Sequence, residues 1–241
     1  MNLLSDIYEN LLKFTLITNR KCNDLLYSSM MNKIKQQDKK RGEFYFENHD
    51  DYYLQIGCGL NILPNWLNTD MNPEFEEIIY LDANEKFQFE DEAFKFIFSE
   101  HLIEHLNFIG VINLLTESYR VLKIGGRIRI ATPKLSFIHD LYKNFEEENN
   151  KEYVEWALNQ YLSYISKSQY NHVSINHIYG HQIIFTFELL KFLLETVGFK
   201  NVCRNDVGKS TISELSGIER HSNIIPHHFN IMETMVLEAV K

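Results

Sequence analysis

Residues 52–59, Tyr-Tyr-Leu-Gln-Ile-Gly-Cys-Gly, form an apolar run that ends in a glycine-rich turn. Three similar short apolar runs follow it, at residues 66–70, 78–82 and 94–99. Apolar runs of about four to eight residues that end at turn residues are typical of buried strands. The first run ends in glycine and the next two end in an acid, so the turn residues already differ in chemistry.

Helical segments alternate with these strands. Residues 109–123 place apolar side chains on one helix face, and Gly125-Gly126 are expected to end that helix. Thr186 and Gly198 are typical residues to begin and end a second helix. Three more segments have strand character: residues 127–131, 201–205 and 232–240. Buried strands that alternate with helices predict an α/β fold, with a mainly parallel sheet covered by helices on both faces.

The ends of the predicted strands point to a nucleoside site. Parallel sheets bind ligands at the carboxyl ends of their strands, and Gly57, Asp70, Asp82 and Ser99 all fall there. A glycine turn lets a ligand approach the backbone closely. A carboxylate at Asp70 could accept both hydroxyls of a ribose, and one at Asp82 could accept an adenine amino group. The ordered series of glycine turn, acid and acid is more specific than any one member.

Four ordered motifs carry a family resemblance. They are residues 54–70, 81–94, 98–106 and 117–130. These motifs resemble the class I S-adenosylmethionine-dependent methyltransferases, and most closely the methyltransferase type 11 group, whose members are often associated with surface-polysaccharide biosynthesis. The resemblance covers residues 51–133 closely and residues 185–205 loosely, and it implies a Rossmann-like fold.

The resemblance also implies S-adenosyl-L-methionine as the cofactor and assigns residues to it. Gly57, Cys58 and Gly59 would line the methionine part, Asp70 would hold the ribose, Asp82 and Ala83 would face adenine, and Ser99, Glu100 and His101 would border the methyl-transfer pocket.

Two features depart from that family pattern. Leu60-Asn61 stands where a third glycine is usual, and only the six residues Leu60–Asn65 separate the turn from the next strand. A parallel crossover normally needs about a dozen residues or more. We therefore expect the first crossover to be shortened, with its helix lost or reduced to a turn. The alternative of an NAD-binding domain is disfavoured, because the full GxGxxG fingerprint is absent.

The chemistry of methyl transfer suggests catalytic histidines. The reaction is an in-line displacement, and a hydroxyl acceptor benefits from a general base. Histidine titrates nearest neutrality, and the candidates are His101, His177 and His181. His101 follows the fourth strand, where a purely structural role is the alternative. The other two lie in a polar, uncharged segment that suits recognition of sugar hydroxyls, or that is a polar loop whose histidines cap nearby backbone.

A metal is not expected. Some methyltransferases carry Glu-x-x-Glu-His as metal ligands after the fourth strand, and here the same place reads His101-Leu-Ile-Glu104-His105. The first glutamate of that set is replaced by His101. The alternative is that Glu104 and His105 orient the segment after the strand.

Two parts are expected in the chain. Residues 1–43 read as a helical N-terminal extension, either packed on the main domain or acting as a lid over a pocket. Residues 44–241 read as the methyltransferase domain, with a helical and loop insertion at about residues 134–182 that includes a helix over residues 152–165. The insertion leaves the sheet at its ligand-binding end, so we expect it to cover the acceptor pocket.

Composition limits the partners. The 241 residues include 24 Lys and Arg against 33 Asp and Glu, a formal net charge of −9, which disfavours a nucleic-acid binder. The cysteines form no disulfide or zinc pattern, no apolar run reaches membrane-spanning length, and no secretory signal is visible. We expect a cytoplasmic enzyme that does not insert into membranes and takes a small-molecule or glycan acceptor. Its oligomeric state is not indicated.

These observations predict O-methylation of a hydroxyl on a sugar or surface-polysaccharide precursor. Two alternatives remain open. One is a non-catalytic scaffold with a methyltransferase-like fold, which the short first crossover favours. The other is a methyltransferase that acts on another small molecule or on a protein.

Overall fold

The computed structural model describes residues 38–161 and 180–241, apart from the side chain of residue 161. The chain divides into two compact units, Met1–Glu47 and Asn48–Lys241. A helix, α1, covers residues 38–48, and within the first unit Arg41 pairs with Asp38 at 3.3 Å. The expected extension over residues 1–43 lies mostly outside the described residues and stays a prediction.

A seven-stranded sheet forms the centre of the second unit. Its strands are β1 (Tyr53–Ile56), β2 (Leu67–Asp70), β3 (Ile78–Tyr80), β4 (Phe94–Glu100), β5 (Leu122–Pro133), β6 (Lys200–Asn205) and β7 (Thr234–Val240). The order across the sheet is β3-β2-β1-β4-β5-β7-β6. The first five strands are parallel, and β7 runs antiparallel to both β5 and β6. Strand order reverses between β1 and β4, which is where parallel sheets place their ligands.

Five helices accompany this sheet in the described part of the second unit. They are α2 (Phe108–Val121), α3 (Leu135–Lys143), α4 (Glu148–Tyr161), α5 (Phe187–Val197) and α6 (His227–Glu233). The Asn107 side chain accepts a bond from Gly110 N at the start of α2, and Thr186 accepts one from Leu189 N at the start of α5. The expected fold class is confirmed: an α/β, Rossmann-like fold with a mainly parallel sheet and helices around it.

The first crossover is short, as expected from its length. Residues 57–66 connect β1 to β2 without a helix. Because this crossover has no helix, the side chain of the buried Asn68 forms hydrogen bonds with its backbone instead. Its Oδ1 accepts from Leu63 N at 2.9 Å, and its Nδ2 donates to the carbonyls of Leu63 and Trp66 at 3.1 and 2.9 Å. One amide side chain therefore satisfies buried backbone groups that would otherwise be costly to leave unpaired.

The role expected of Gly125-Gly126 was wrong. Helix α2 already ends at Val121, and Leu122 begins β5 in an extended conformation. Gly125 lies inside β5 with a φ of 78°, and its N–H donates to the carbonyl of Lys241 at 3.0 Å. The positive φ therefore bends a strand to pair with the chain end, rather than ending a helix.

The insertion shares a small hydrophobic core with the segment before β7. Helices α3, α4 and α6 pack apolar side chains together; the buried ones include Phe137, Leu141, Tyr153, Val154, Ala157, Leu158 and Phe229. The helix expected over residues 152–165 starts four residues earlier, at Glu148, and its described part ends at Tyr161. No helix in residues 38–161 or 180–241 is long and apolar enough to cross a membrane.

Candidate functional site

The glycine turn after β1 is held against β2. The N–H groups of Gly57 and Cys58 both donate to the carbonyl of Thr69, at 2.8 and 3.0 Å. Gly57 has a φ of 72°, and a Cβ on it would lie 2.8 Å from Leu102 Cδ2, so only glycine fits. A Cβ on Gly59 would meet no atom within 4 Å in the described part of the chain. The turn therefore presents backbone to open space at the strand ends.

Asp70 connects the end of β2 to that turn. Its Oδ2 accepts from Gly59 N and its Oδ1 accepts from Asn72 N, both at 2.8 Å. Each carboxylate oxygen has a second lone pair, so both remain able to accept a hydroxyl. The residue expected to hold the ribose thus lies directly beside the glycine turn, in spite of the shortened crossover.

Asp82 and Ala83 follow β3 at the same edge of the sheet. The backbone just after β3 still pairs with the end of β2, because Leu81 N donates to the carbonyl of Asp70 at 3.0 Å. Asp82 Oδ1 accepts from the backbone N–H and side-chain amide of Asn84, at 2.8 and 2.9 Å. Ala83 is 4% exposed. The two residues expected at the adenine therefore neighbour Asp70, and that role stays a prediction.

Ser99 and Cys58 lie where β1 and β4 end together. Ser99 pairs in register with Ile56, and its buried Oγ has no hydrogen-bond partner among the residues described. Burial, with a smaller contribution from the charge of Asp70, raises the pKa of the Cys58 thiol to about 12, so the thiol is neutral. These residues fit S-adenosylmethionine: open backbone at the turn, carboxylate lone pairs at Asp70 and an unused buried hydroxyl at Ser99.

The Glu100 carboxylate, at the end of β4, binds the backbone of residues 220 and 221. Its Oε2 accepts from Arg220 N at 2.8 Å and its Oε1 accepts from His221 N at 3.0 Å. Both oxygens of the carboxylate are thus engaged by backbone 120 residues away in sequence. The cofactor contact expected for Glu100 stays a prediction, while its structural bonds fix the position of His221.

His101 sits between two polar partners. Its Nδ1 lies 3.1 Å from Glu104 Oε1, and its Nε2 lies 3.2 Å from Thr234 Oγ1. Glu104 is 0% exposed, and its other oxygen accepts from Thr132 Oγ1 at 3.0 Å. Burial opposes charge on both groups, but their mutual bond and charges outweigh it: the pKa of His101 is raised and the pKa of Glu104 is lowered. His101 also has a φ of 49°, unusual for a residue with a side chain.

His221 stacks on His101. The two rings are 3.7 Å apart and inclined by 22°. His221 Nε2 lies 2.9 Å from Glu233 Oε1, and Tyr153 Oη donates to Glu233 Oε2 at 2.8 Å. His221 is not among the catalytic residues expected from the sequence. It lies in the polar stretch Glu219–Phe229 just before the last strand, and that stretch is the sequence signal that could have indicated it.

Of the other two expected histidines, His181 lies among the described residues and His177 does not. His181 lines the same pocket, and burial lowers its pKa to about 4, so it is neutral near pH 7. The segment after it is held by Gln182 N, which donates to the carbonyl of Glu104 at 2.7 Å. His177 lies outside the described residues, and its catalytic role stays a prediction.

A pocket opens beside these histidines. It encloses about 600 Å³, its open mouth included. Its lining is His101, Pro133, Phe137, Ile138, Tyr153, Trp156, His181, His221, Ile225 and Glu233. Helices α3 and α4 of the insertion supply four of the aromatic and aliphatic side chains, Phe137, Ile138, Tyr153 and Trp156, and the titratable side chains include three histidines and Glu233. A mostly apolar cavity with a few convergent polar groups is typical of a small-molecule site.

Within residues 38–161 and 180–241, two groups of side chains place nitrogen and oxygen atoms within 4.8 Å of one another, as a cation would need. They are His101, His221 and Glu233, and Glu104, His105 and His181. The carboxylate of each group already pairs with a histidine, at 2.9 Å for Glu233 and 3.1 Å for Glu104. Such pairs need no ion, and the absence of a metal requirement stays a prediction.

Comparison with known families agrees with this geometry. Residues 54–130 match the family model described as a methyltransferase domain. This range contains the glycine turn, Asp70, Asp82 and the whole His101–His105 segment. No curated protein matches the chain. The enzyme class and the methyl donor expected from the sequence are confirmed.

Several solved structures are similar to the chain at low identity. An S-adenosylmethionine-dependent methyltransferase from Archaeoglobus fulgidus is 18% identical, with 86% of this chain and 94% of that one covered and a TM-score of 0.48. A possible histamine N-methyltransferase from Thermotoga maritima is 18% identical, with 80% and 83% covered and a TM-score of 0.44. Phosphoethanolamine N-methyltransferase 2 of Haemonchus contortus, in complex with S-adenosyl-L-methionine, is 14% identical, with 86% and 52% covered and a TM-score of 0.42.

Proposed function

We propose that this S-adenosylmethionine-dependent methyltransferase methylates a hydroxyl oxygen of a sugar or surface-polysaccharide precursor in the cytoplasm. The observation that carries the proposal is the pair of stacked histidines at the pocket, His101 and His221, each held by a buried carboxylate. A neutral amine attacks a methyl group with its own lone pair, whereas an alcohol must also lose a proton. Histidine–carboxylate pairs supply that proton transfer, so they favour an oxygen acceptor.

The pocket lining supports a sugar as the acceptor. Tyr153, Trp156 and Phe137 contribute flat aromatic rings to it. A sugar ring has a C–H face that stacks on such rings, and its hydroxyls need hydrogen-bond partners at its edge. The same lining contains polar side chains that can be those partners, at His181, His221 and Glu233.

The residues of this chain bind and orient the methyl donor and the acceptor, while the donor supplies the reactive group. Bound S-adenosylmethionine supplies an electrophilic methyl group. Gly57–Gly59 and Asp70 fix the position of its amino-acid and ribose parts, and the insertion wall fixes the acceptor. Holding two reactants in line can contribute about 7–11 kcal/mol to lowering the barrier.

The test is methyl transfer to defined acceptors. Tritiated S-adenosylmethionine is incubated with a panel of nucleotide sugars and polysaccharide fragments, and in parallel with small amines and a protein mixture. We expect label in the sugar fraction, in base-stable and acid-stable form as an ether. The matched control is Asp70→Ala, which should lose transfer through loss of donor binding. Label that enters only the amine or protein fraction would contradict the proposal.

A further inference from the structure

We propose that His221 is the general base for the acceptor hydroxyl, with Glu233 as its positioning residue. The inference rests on the proposed function, since a base is needed only for a protonated nucleophile. It assigns the role of base to a histidine that is not among the three expected from the sequence.

Hydrogen bonds fix the proton on one nitrogen of His221. The Glu233 carboxylate accepts from Tyr153 Oη through Oε2 and faces His221 Nε2 through Oε1, at 2.8 and 2.9 Å. An ionised carboxylate only accepts hydrogen bonds, so Nε2 carries the proton. In the neutral ring the lone pair is then on Nδ1, for which the described part of the chain offers no partner. A carboxylate that fixes the tautomer of a catalytic histidine in this way is the arrangement of serine protease triads.

His101 is placed differently, because protein groups occupy both of its ring nitrogens. Thr234 Oγ1 donates to Asn230 Oδ1 at 2.7 Å, so it is left to accept from His101 Nε2 at 3.2 Å. The other ring nitrogen, Nδ1, faces the buried carboxylate of Glu104 at 3.1 Å. Neither nitrogen of His101 is therefore open to an acceptor hydroxyl.

The surroundings of His221 suit a base that gains a positive charge during transfer. The titratable groups around it are Glu233, Glu100 at its backbone N–H, the stacked His101 and, beyond them, Glu104, Tyr153 and His181. The Glu233 carboxylate, 2.9 Å from Nε2, stabilises the imidazolium that forms.

The step balances without a further reactant. The acceptor oxygen forms its bond to the methyl carbon with one of its lone pairs. The bond from that carbon to sulfur breaks, and its electron pair stays on sulfur. The hydroxyl proton moves to Nδ1 of His221. The products are a methyl ether, the neutral thioether of the donor and an imidazolium on His221, which returns its proton to solvent.

The first experiment needs no acceptor. Imidazole ¹⁵N NMR of the whole protein with S-adenosylhomocysteine reports the protonation of each ring nitrogen. We expect His221 to carry its proton on Nε2, the nitrogen that faces Glu233, with the lone pair on Nδ1. Glu233→Gln should disturb this tautomer and leave the signals of His101 unchanged. A His221 signal from the Nδ1–H tautomer in the unsubstituted protein would overturn the assignment.

The second experiment uses turnover with an acceptor from the sugar panel. His221→Gln should lower kcat by roughly 10²–10⁴-fold, with S-adenosylhomocysteine affinity and the melting temperature unchanged. His228→Gln is the matched control, because His228 is on the same helix as Glu233 but is exposed and pairs only with Glu152 among the residues described. If His221→Gln has the same kcat as the wild type, the inference is wrong. If the wild type labels no sugar, the proposed function fails, while the NMR result still decides the state of His221.

Discussion

Arg129 is a buried cation whose removal should destabilise this fold. It is 0% exposed in β5. Its Nε donates to Glu219 Oε1 and its Nη1 donates to Glu238 Oε1, both at 2.6 Å, and Nη1 also donates to the carbonyl of Lys209 at 3.0 Å. Arg129→Met leaves the buried Glu219 carboxylate without its cation and leaves Glu238 with only Arg127, at 3.6 Å. Breaking a buried ion pair in this way costs about 3–5 kcal/mol.

The cost should appear as a lower melting temperature. For a chain of this size each kcal/mol shifts Tm by about 2–4 °C, so we expect a loss of roughly 6–20 °C by calorimetry or circular dichroism. Burial raises the pKa of Glu219 even with Arg129 present. A carboxyl whose pKa is raised by folding binds more protons in the folded state, so its stability contribution falls as pH rises. The deficit of Arg129→Met should therefore be larger at about pH 8 than at about pH 5.

Two variants test the reasoning. Lys191→Met, at an exposed pair with Glu195, should change stability by less than about 0.5 kcal/mol. Arg129→Met combined with Glu219→Gln and Glu238→Gln should recover much of the loss, because no buried charge then lacks a partner. If Arg129→Met melts within about 2 °C of the wild type, or if the combined variant is worse than the single one, uncompensated charge is not the cause.

Three further outcomes are expected. Asp70→Ala should weaken S-adenosylhomocysteine binding about tenfold or more by calorimetry while the melting temperature changes little; unchanged affinity would remove its ribose role. Turnover should survive a chelator, and loss of turnover that magnesium, manganese or zinc restores would show that a metal is used. Because burial lowers the pKa of His181 to about 4, below its unfolded value of about 6.5, the wild type should lose up to about 3 kcal/mol of stability as pH falls between these values. His181→Ala should not show this loss, and equal pH dependence of both proteins would contradict the assignment.

The sequence predicted the parallel part of the sheet because buried parallel strands are continuous apolar runs. β1, β2 and β4 lie within a residue of their expected bounds, and β3 begins at the expected Ile78. Gly57 and Asp70 were identifiable because the turn and acid follow those runs directly. The short first crossover was also visible, since residue number alone excludes a crossover helix. Gly125 was misassigned because a positive φ serves a helix end and a strand bend equally well.

The acceptor side was not predictable in the same way. His221 meets His101 only because Glu100 holds the backbone of residues 220–221, a contact over 120 residues of chain. Glu233 reaches His221 from the helix before β7, and Tyr153 reaches Glu233 from the insertion. None of these pairs has a fixed spacing or a helical period that a sequence can show. They depend on which loops the sheet order brings together, so a polar run before the last strand carried no specific role.

Three consecutive residues at the end of β4 connect the two halves of the site. Ser99 has a buried hydroxyl beside the glycine turn that has no hydrogen-bond partner among the residues described. Glu100 binds the backbone of the segment that carries His221, and the ring of His101 stacks on the ring of His221. His101 reaches its place only with a φ of 49°, a conformation that costs on the order of 1–3 kcal/mol. Its backbone bond to Ala131 and its two side-chain partners, Glu104 and Thr234, hold it there. The backbone therefore turns sharply just after β4, at the residue whose ring stacks on His221 and lines the pocket.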